Sequence, residues 1–317
     1  MIIDRVVGTK KQPKMLYAAA QHLIKAGGKR LRPFLVLKAC ELVGGREENA
    51  LSSAVAVELL HNFTLIHDDI MDRDEKRRGV PTVHMLWGEP LAITAGDLLF
   101  AKVFEVIIRY SDPKYLSPEK TIQVLNTLSI ATIAICEGQA LDIEFERREN
   151  VSEEEYFTMI GGKTASLFRA AAETGAIVGG GSTEQIHRLG LYAYNSGLSF
   201  QIADDVLGLT ADEKVLGKPV GSDIREGKKT ILVVHALKYA DAEQRRKILA
   251  ALGNRDATSN QIGKVVEIIR SLGSIEYATQ KAMELMTVGR EQLKPFPEVQ
   301  AKRALLDLAD FLVARKY

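Results

Sequence analysis

The chain has 317 residues, of which 46% are apolar and 26% charged, a composition typical of a globular protein. Lysine and arginine (42) nearly balance aspartate and glutamate (41), so overall charge does not favour binding to nucleic acid or to an anionic membrane. The two cysteines, Cys40 and Cys136, predict neither a disulfide framework nor a thiolate zinc site. With no signal-peptide pattern and no run of about 18 apolar residues, we expect a cytoplasmic protein without a transmembrane segment.

Helix signals recur along the whole chain, and no alternating strand pattern accompanies them. Residues with the character of helix caps precede four predicted helices, at Ser117, Ser152, Ser182 and Thr258. Between such starts the apolar residues recur with a period near 3.6. Neither a linker nor a repeat of 20–50 residues divides the chain. The sequence therefore predicts an all-α protein, a single-domain helical bundle spanning residues 1–317.

The first feature of chemical interest is basic. Lys29, Arg30 and Arg32 follow a glycine pair and precede a predicted helix start at Pro33. Cations and backbone N–H groups at a helix start suit an anion.

A predicted helix over residues 54–72 is apolar around most of its circumference until it ends in acid. Asp68 and Asp72 lie one turn apart on one face, with Asp69 beside them. Three carboxylates this close resist burial unless a cation is present, and Mg²⁺ prefers one or two carboxylates together with phosphate oxygens. A solvated acidic helix end is the alternative interpretation.

A second acidic pair, Asp204 and Asp205, ends another apolar helix. Two such ends facing each other across a cavity would form a clamp for Mg²⁺ ions that bridge a diphosphate. Further cations would bind the diphosphate directly. They are Arg77, Arg78, Lys163 beside Thr164, and Lys218, Lys228 and Lys229 in a glycine-rich loop predicted over residues 210–230.

These motifs resemble, in order and spacing over nearly the whole chain, those of the trans-polyprenyl diphosphate synthases. The matching segments are GGKRLRP, HNFTLIHDDIMD, RRG, GGKTASLF, FQIADDVLG and LGKPVGSD with EGKKT. The resemblance implies the isoprenoid synthase fold, mostly antiparallel helices around a central cavity, and a homodimer. It also implies Mg²⁺-dependent head-to-tail (1′-4) condensation of isopentenyl diphosphate with an allylic diphosphate, with three Mg²⁺ per site when substrate is bound.

The same resemblance assigns roles by position. It places isopentenyl diphosphate on Lys29, Arg32, His61 and Arg78. It places the allylic diphosphate on Arg77, Lys163, Thr164, Gln201, Lys218 and Lys228, with Lys229 as a substitute for Lys228. The metal set is Asp68, Asp69, Asp72, Asp204 and Asp205, and the catalytic set is Asp68, Asp72, Lys163, Asp204 and Lys218. Gly208 departs from the pattern, because many relatives carry a third aspartate there.

The resemblance also implies that product length is limited by bulk beneath the first acidic pair. Phe63 lies about 7.5 Å down the helix from Asp68, with Thr64 and Leu60 nearby. The pattern resembles archaeal-type geranylgeranyl diphosphate synthases, which make C20 products, so Phe63 is the expected floor. Ordinary core packing is the alternative interpretation of this ring.

Other functions remain open at this stage. A farnesyl (C15) synthase or a synthase of C25 and longer products would share these motifs. A terpene cyclase or head-to-head synthase would not need a second diphosphate site. A metal phosphohydrolase built on His67 and Asp68 leaves the second acidic pair unexplained, and a non-catalytic subunit would commonly lose the aspartates.

Overall fold

A computed structural model describes residues 2–8, 11–210 and 220–313. These residues are almost entirely helical, as predicted, and their only strands form one hairpin. The first elements are α1 (Ile2–Val7), α2 (Lys14–Lys25), α3 (Leu31–Leu42), α4 (Glu47–Asp72), the strands β1 (Lys76–Arg77) and β2 (Val80–Pro81), α5 (Val83–Trp87), α6 (Glu89–Tyr110) and α7 (Pro118–Glu146). There follow α8 (Glu153–Ile160), a π-helical turn (Gly161–Ala165), α9 (Ser166–Gly179), α10 (Thr183–Thr210), α11 (Ser222–Glu226), α12 (Ile231–Tyr239), α13 (Ala242–Ala251), α14 (Ser259–Ser271), α15 (Ser274–Glu291) and α16 (Gln300–Val313).

The described residues fall into two compact units. Unit 1 comprises those within Met1–Ser129, Ala170–Gly190 and Pro297–Lys302. Unit 2 comprises those within Ile130–Arg169, Leu191–Phe296 and Arg303–Tyr317. The expectation of one domain over residues 1–317 stays a prediction.

In unit 1, α4 packs against α3 and α6. Its Val57, Leu59 and Leu60 are fully buried, which explains why the sequence of this helix is apolar on several faces. α4 ends at Asp72, where Arg73 adopts a left-handed backbone (φ 59°). The acidic end of α4 therefore follows a buried apolar helix, as predicted.

In unit 2, a continuous apolar core joins α8, the second half of α10, and α12 to α15. The predicted helix starts in this part of the chain are confirmed by capping boxes. Ser152 and Glu155 cap α8, and Thr258 and Gln261 cap α14, by reciprocal side-chain and backbone hydrogen bonds. Ile262, Val265 and Ile269 of the predicted apolar stripe are buried.

Two details differ from the prediction. The short hairpin places Arg77 opposite Val80, a pairing too short to leave an alternating pattern. The loop expected over 210–230 contains α11, while residues 211–219, including Lys218, lie outside the described residues.

Helix α7 has an unusual composition. By length and hydropathy it would suffice to cross a membrane, yet a third (33%) of its most apolar window is buried inside the protein. A single helix of this kind is weak evidence for a membrane span, since the test concerns length and composition only.

Candidate active site

The first acidic pair lies at the C-terminal end of α4. Asp68 and Asp72 are partly exposed, whereas the Asp69 side chain is buried. Arg77 Nε donates a hydrogen bond to Asp69 Oδ1, and Oδ2 has no hydrogen-bond partner within the described part of the chain. Burial raises the pKa of Asp69 even though Arg77 opposes the shift. Asp69 thus anchors the hairpin arginine at the base of the pair.

A group of cations forms around His61 in the same unit. Arg32 Nη1 lies 3.2 Å from His61 Nε2. Arg78 donates from Nη1 to the carbonyl oxygens of Leu23, at 2.7 Å, and of Gly27. These contacts bring the basic segment around the start of α3 and the hairpin together.

The close packing of Arg78 explains one of the glycines in this basic segment. A Cβ on Gly28 would lie 2.9 Å from Arg78 Cζ, and the φ of Gly28 (+132°) disfavours other residues. The neighbouring Lys29 is exposed. Gly28 therefore gives the guanidinium the room it occupies.

Burial and the neighbouring arginine charges keep His61 neutral. Burial and then the charges of Arg32, Arg78 and Arg77 push the pKa of His61 well below its usual range. A neutral ring adds no cation of its own and can accept a hydrogen bond from Arg32. The result is a positively charged group with an uncharged centre, which suits an anion such as diphosphate.

Arg30 has a different role from its neighbours. It caps α3 in a left-handed conformation (φ 53°) and forms an ion pair with the buried Glu58. Its Nη2 also donates to the carbonyl oxygen of Ile24 at 2.6 Å. Arg30 is thus occupied in holding α3 against α4.

Phe63 belongs to an aromatic column on α4 and α6. Its ring centroid lies 5.2 Å from that of Phe100, which lies 5.2 Å from that of Phe104. Thr64 Oγ1 donates to the His61 carbonyl at 2.8 Å, and Leu60 is fully buried. The expected floor residue is therefore backed by two further rings from another helix.

His67 contacts the main chain of α6. Its Nε2 lies 3.2 Å from the carbonyl oxygen of Ile93, and a Cβ on Gly96 would lie 2.3 Å from the same nitrogen. An imidazole packed this way does not favour the metal-binding His67–Asp68 pair of a phosphohydrolase.

In unit 2, two lysines meet at one carboxylate. Lys163 Nζ lies 2.5 Å, and Lys228 Nζ 3.1 Å, from Oδ2 of Asp142, a buried residue of α7. Lys229 instead donates to the carbonyl oxygens of Gly227 and Glu146. Of the two candidate amines, that of Lys228 joins Lys163.

A hydrogen-bonded chain runs from the π-helical turn to the second acidic pair. Thr164 Oγ1 donates to Gln201 Oε1 at 2.8 Å, and Gln201 Nε2 donates to Asp205 Oδ1 at 2.9 Å. Tyr156 donates to the other oxygen of Asp205 at 2.7 Å. Protein donors thus hold both oxygens of Asp205, and Asp204 beside it is partly exposed.

The surroundings of Asp205 are acidic. Burial raises its pKa to about 7, with Asp223 and Asp204 adding to the shift and hydrogen bonds from Gln201 and Tyr156 opposing it. A Cβ on Gly208 would lie 3.1 Å from Asp223 Oδ2. Gly208, the departure noted in the sequence, thus lies next to a carboxylate from α11.

Sequence reasoning missed several residues of these groups. Asp142, Tyr156 and Phe100 reach their partners over long separations along the chain. Asp142 left no distinctive signal, because α7 carries other acids near it, Glu137, Glu144 and Glu146. Lys218 cannot be placed, because it lies outside the described residues.

The donor set around the first pair fits a divalent cation. Asp68 and Asp72 supply carboxylate oxygens, and Asp69 Oδ2 is a buried oxygen with unmet hydrogen-bonding capacity. No cluster of three or more histidine, cysteine or acidic ligands exists among the described residues. A metal held here would share its coordination with water and substrate oxygens, which is characteristic of Mg²⁺.

Comparison with known proteins gives a family match over most of the chain. The polyprenyl synthetase family model matches residues 13–269. The chain is 45% identical to the geranylgeranyl diphosphate synthase of Saccharolobus solfataricus over 97% of its own length and 92% of that protein.

Solved structures give the same picture. The structure of geranylgeranyl pyrophosphate synthetase from Pyrococcus horikoshii matches with a TM-score of 0.93 and 46% identity, covering 99% of this chain and 94% of that one. A polyprenyl synthase from Caulobacter crescentus, complexed with calcium and isoprenyl diphosphate, matches with a TM-score of 0.90 and 33% identity, covering 99% and 94%. The predicted isoprenoid synthase fold is confirmed, and the chain belongs to the polyprenyl synthetase family, whose members are prenyltransferases.

Proposed function

We propose that this prenyltransferase condenses isopentenyl diphosphate head to tail (1′-4) with allylic diphosphates and releases geranylgeranyl diphosphate (C20). One observation carries the proposal. Each of the two units holds a cation group of its own, Arg32 and Arg78 around His61 in unit 1 and Lys163 with Lys228 in unit 2. A reaction between two diphosphates needs two such groups, whereas a phosphohydrolase needs one.

The residue roles follow from these groups. Lys29, Arg32, His61 and Arg78 bind the diphosphate of isopentenyl diphosphate. The allylic diphosphate is bound by Arg77, Lys163, Thr164, Gln201, Lys218 and Lys228. Charged donors on a diphosphate are the strongest hydrogen bonds available to a protein, and the neutral His61 supplies one uncharged partner.

The acidic pairs bind Mg²⁺, three ions per site when substrate is present. Asp68, Asp72 and Asp204 are the direct ligands in this proposal, and Asp69 and Asp205 complete the acidic groups from their buried positions. Mg²⁺ held by these carboxylates would withdraw charge from the allylic diphosphate and make it a better leaving group. Lys163 and Lys228 contribute two fixed positive charges to the same leaving group.

The bond changes balance without a dedicated protein base. The allylic C–O bond breaks, and its electron pair leaves with the diphosphate. The double bond of isopentenyl diphosphate then attacks the allylic carbon, forming the new C–C bond and a tertiary cation. Loss of one proton to the departed diphosphate restores a double bond.

We assign the C20 product from the aromatic column beneath the first acidic pair. The rings of Phe63, Phe100 and Phe104 contact one another in sequence, and in this proposal their bulk limits the growing chain. The C15 product and products of C25 or longer are the alternatives. The relatives described above that act as geranylgeranyl diphosphate synthases support C20.

Exposed apolar side chains on helix α7 support the proposal of a homodimer. Its Ile122, Ile130 and Ile133 are 68%, 59% and 57% exposed. Large aliphatic side chains this exposed along one helix are typical of a protein–protein interface. We propose that a second copy of the chain covers them, and that the protein is cytoplasmic, with its two cysteines free.

Product sizing tests the assignment. The protein is incubated with Mg²⁺, isopentenyl diphosphate and, in turn, C5, C10 and C15 allylic diphosphates, and dephosphorylated products are separated by chromatography. A C20 alcohol from each accepted starter supports the proposal. A dominant C15 or C25 alcohol would replace the product assignment and leave the prenyltransferase standing.

A further inference from the structure

Asp142 is the one carboxylate among the described residues that contacts two lysines of the proposed allylic site. Both amines bind the same oxygen, Oδ2, with Lys163 at 2.5 Å and Lys228 at 3.1 Å. The Asp142 side chain is 5% exposed, and those of Lys163 and Lys228 are 23% and 12% exposed. Two long, flexible side chains from distant parts of the chain are thereby brought to one point.

Two ammonium groups this close repel each other, and the repulsion grows in a partly buried site where water screens less. Asp142 offsets it. Burial on its own would raise the pKa of this carboxyl, but the charges of Lys163 and Lys228 outweigh burial and lower it below its usual value. The carboxylate of Glu146, one turn further along α7, contacts Lys228 at 3.2 Å. The carboxylate that joins the two amines is that of Asp142.

The backbone at Lys163 packs closely against the face of α7 that carries Asp142. Gly138 lies one turn before Asp142, and a Cβ there would stand 2.2 Å from Lys163 N. On the other side of the crossing, a Cβ on Gly162 would stand 2.6 Å from the carbonyl oxygen of Ala134. The two glycines allow the π-helical turn to touch α7, so that the carboxylate one turn away reaches the Lys163 amine.

We propose that Asp142 is a positioning residue, whose carboxylate holds the amines of Lys163 and Lys228 together in the arrangement that receives the allylic diphosphate. The inference rests on the proposed function. Asp142 itself does not touch substrate. It fixes two side chains that would otherwise lose conformational freedom when the substrate binds. Because they are already fixed, binding costs less conformational entropy.

Steady-state kinetics of Asp142→Asn test the proposal, because asparagine keeps the volume and removes the charge. We expect KM for the allylic diphosphate to rise about tenfold or more, as for loss of a charged hydrogen bond, with KM for isopentenyl diphosphate changed less than about twofold. Glu137→Gln, which neutralises an exposed acid on the same helix, is the matched control and should behave as wild type. An unchanged allylic KM in Asp142→Asn would overturn the proposal.

A double-mutant cycle separates positioning from a general effect on folding. If Asp142 acts through the lysine, Asp142→Asn added to Lys163→Gln should change the allylic KM far less than it does in wild type. Equal effects in both backgrounds would contradict the inference. Should Asp142→Asn alone not fold, Asp142→Glu, which keeps the charge but displaces the carboxylate by one methylene, takes its place in both backgrounds of the same cycle. Wild-type elongation activity in the same assay tests the proposed function separately.

Discussion

Phe63 on α4 and Phe100 on α6 lie with their ring centroids 5.2 Å apart, and Phe63 precedes Asp68 by five residues, more than one helical turn. Phe104 extends the contact at a further 5.2 Å. The residue predicted to be the floor of the chain-length pocket thus belongs to a cluster of three rings from two helices.

Phe63→Ala should therefore lengthen the products by about one isoprene unit, because one helical turn is close to the span of one unit. Phe63→Ala combined with Phe100→Ala should lengthen them further. The measurement is chromatography of dephosphorylated products. Phe311→Ala, at a phenylalanine that is 46% exposed, is the control. Unchanged product length in the double variant would place the floor elsewhere.

Tyr156→Phe should weaken the support of the second acidic pair. The tyrosine hydroxyl donates to Asp205 at 2.7 Å in the protein interior, and its loss leaves a buried carboxyl oxygen without that donor, at about 1–3 kcal/mol. We expect a lower melting temperature and a higher Mg²⁺ concentration for half-maximal activity. Tyr239→Phe, at an exposed tyrosine, should change neither. A Mg²⁺ dependence identical to wild type would contradict the role of Tyr156.

Asp68→Asn should reduce kcat by about 100-fold or more, since stabilisation of a leaving group is commonly the largest single contribution to catalysis. Chelation of divalent ions from the wild-type protein should abolish turnover, and added Mg²⁺ should restore it. Turnover that persists in excess chelator would exclude the metal assignment. The fold should survive this substitution, because Asp68 is not buried, and circular dichroism checks that.

Ile130→Glu with Ile133→Glu should separate the proposed homodimer, because a charge on a buried interface face is costly. Light scattering should give the mass of one chain for this variant and of two for the wild type. Met283→Glu, at a methionine of α15 that is 52% exposed, is the control. A single-chain mass for the wild type would refute the dimer.

Local sequence signals predicted much of this protein. Helix starts were readable because a capping box joins residues three apart, as at Ser152 and Glu155. Both acidic pairs were readable because apolar periodicity ends abruptly beside them. Lys163 stood out because glycines interrupt its helix.

Contacts between distant residues were not predictable in this way. Asp142 lies 86 residues from Lys228, and Tyr156 lies 49 from Asp205. Nothing in a local pattern pairs such residues, since tertiary packing decides which faces of two helices meet. The choice between Lys228 and Lys229 depended on the same packing, with the amine of Lys229 turned to main-chain carbonyls.

Transfer rather than hydrolysis is the central claim, and the stoichiometry of diphosphate release tests it most directly. An allylic diphosphate and Mg²⁺ are supplied with and without isopentenyl diphosphate, and released diphosphate is quantified against isopentenyl diphosphate consumed. The account predicts one diphosphate for each isopentenyl unit added and negligible release without isopentenyl diphosphate. Comparable release of phosphate or diphosphate in its absence would contradict it.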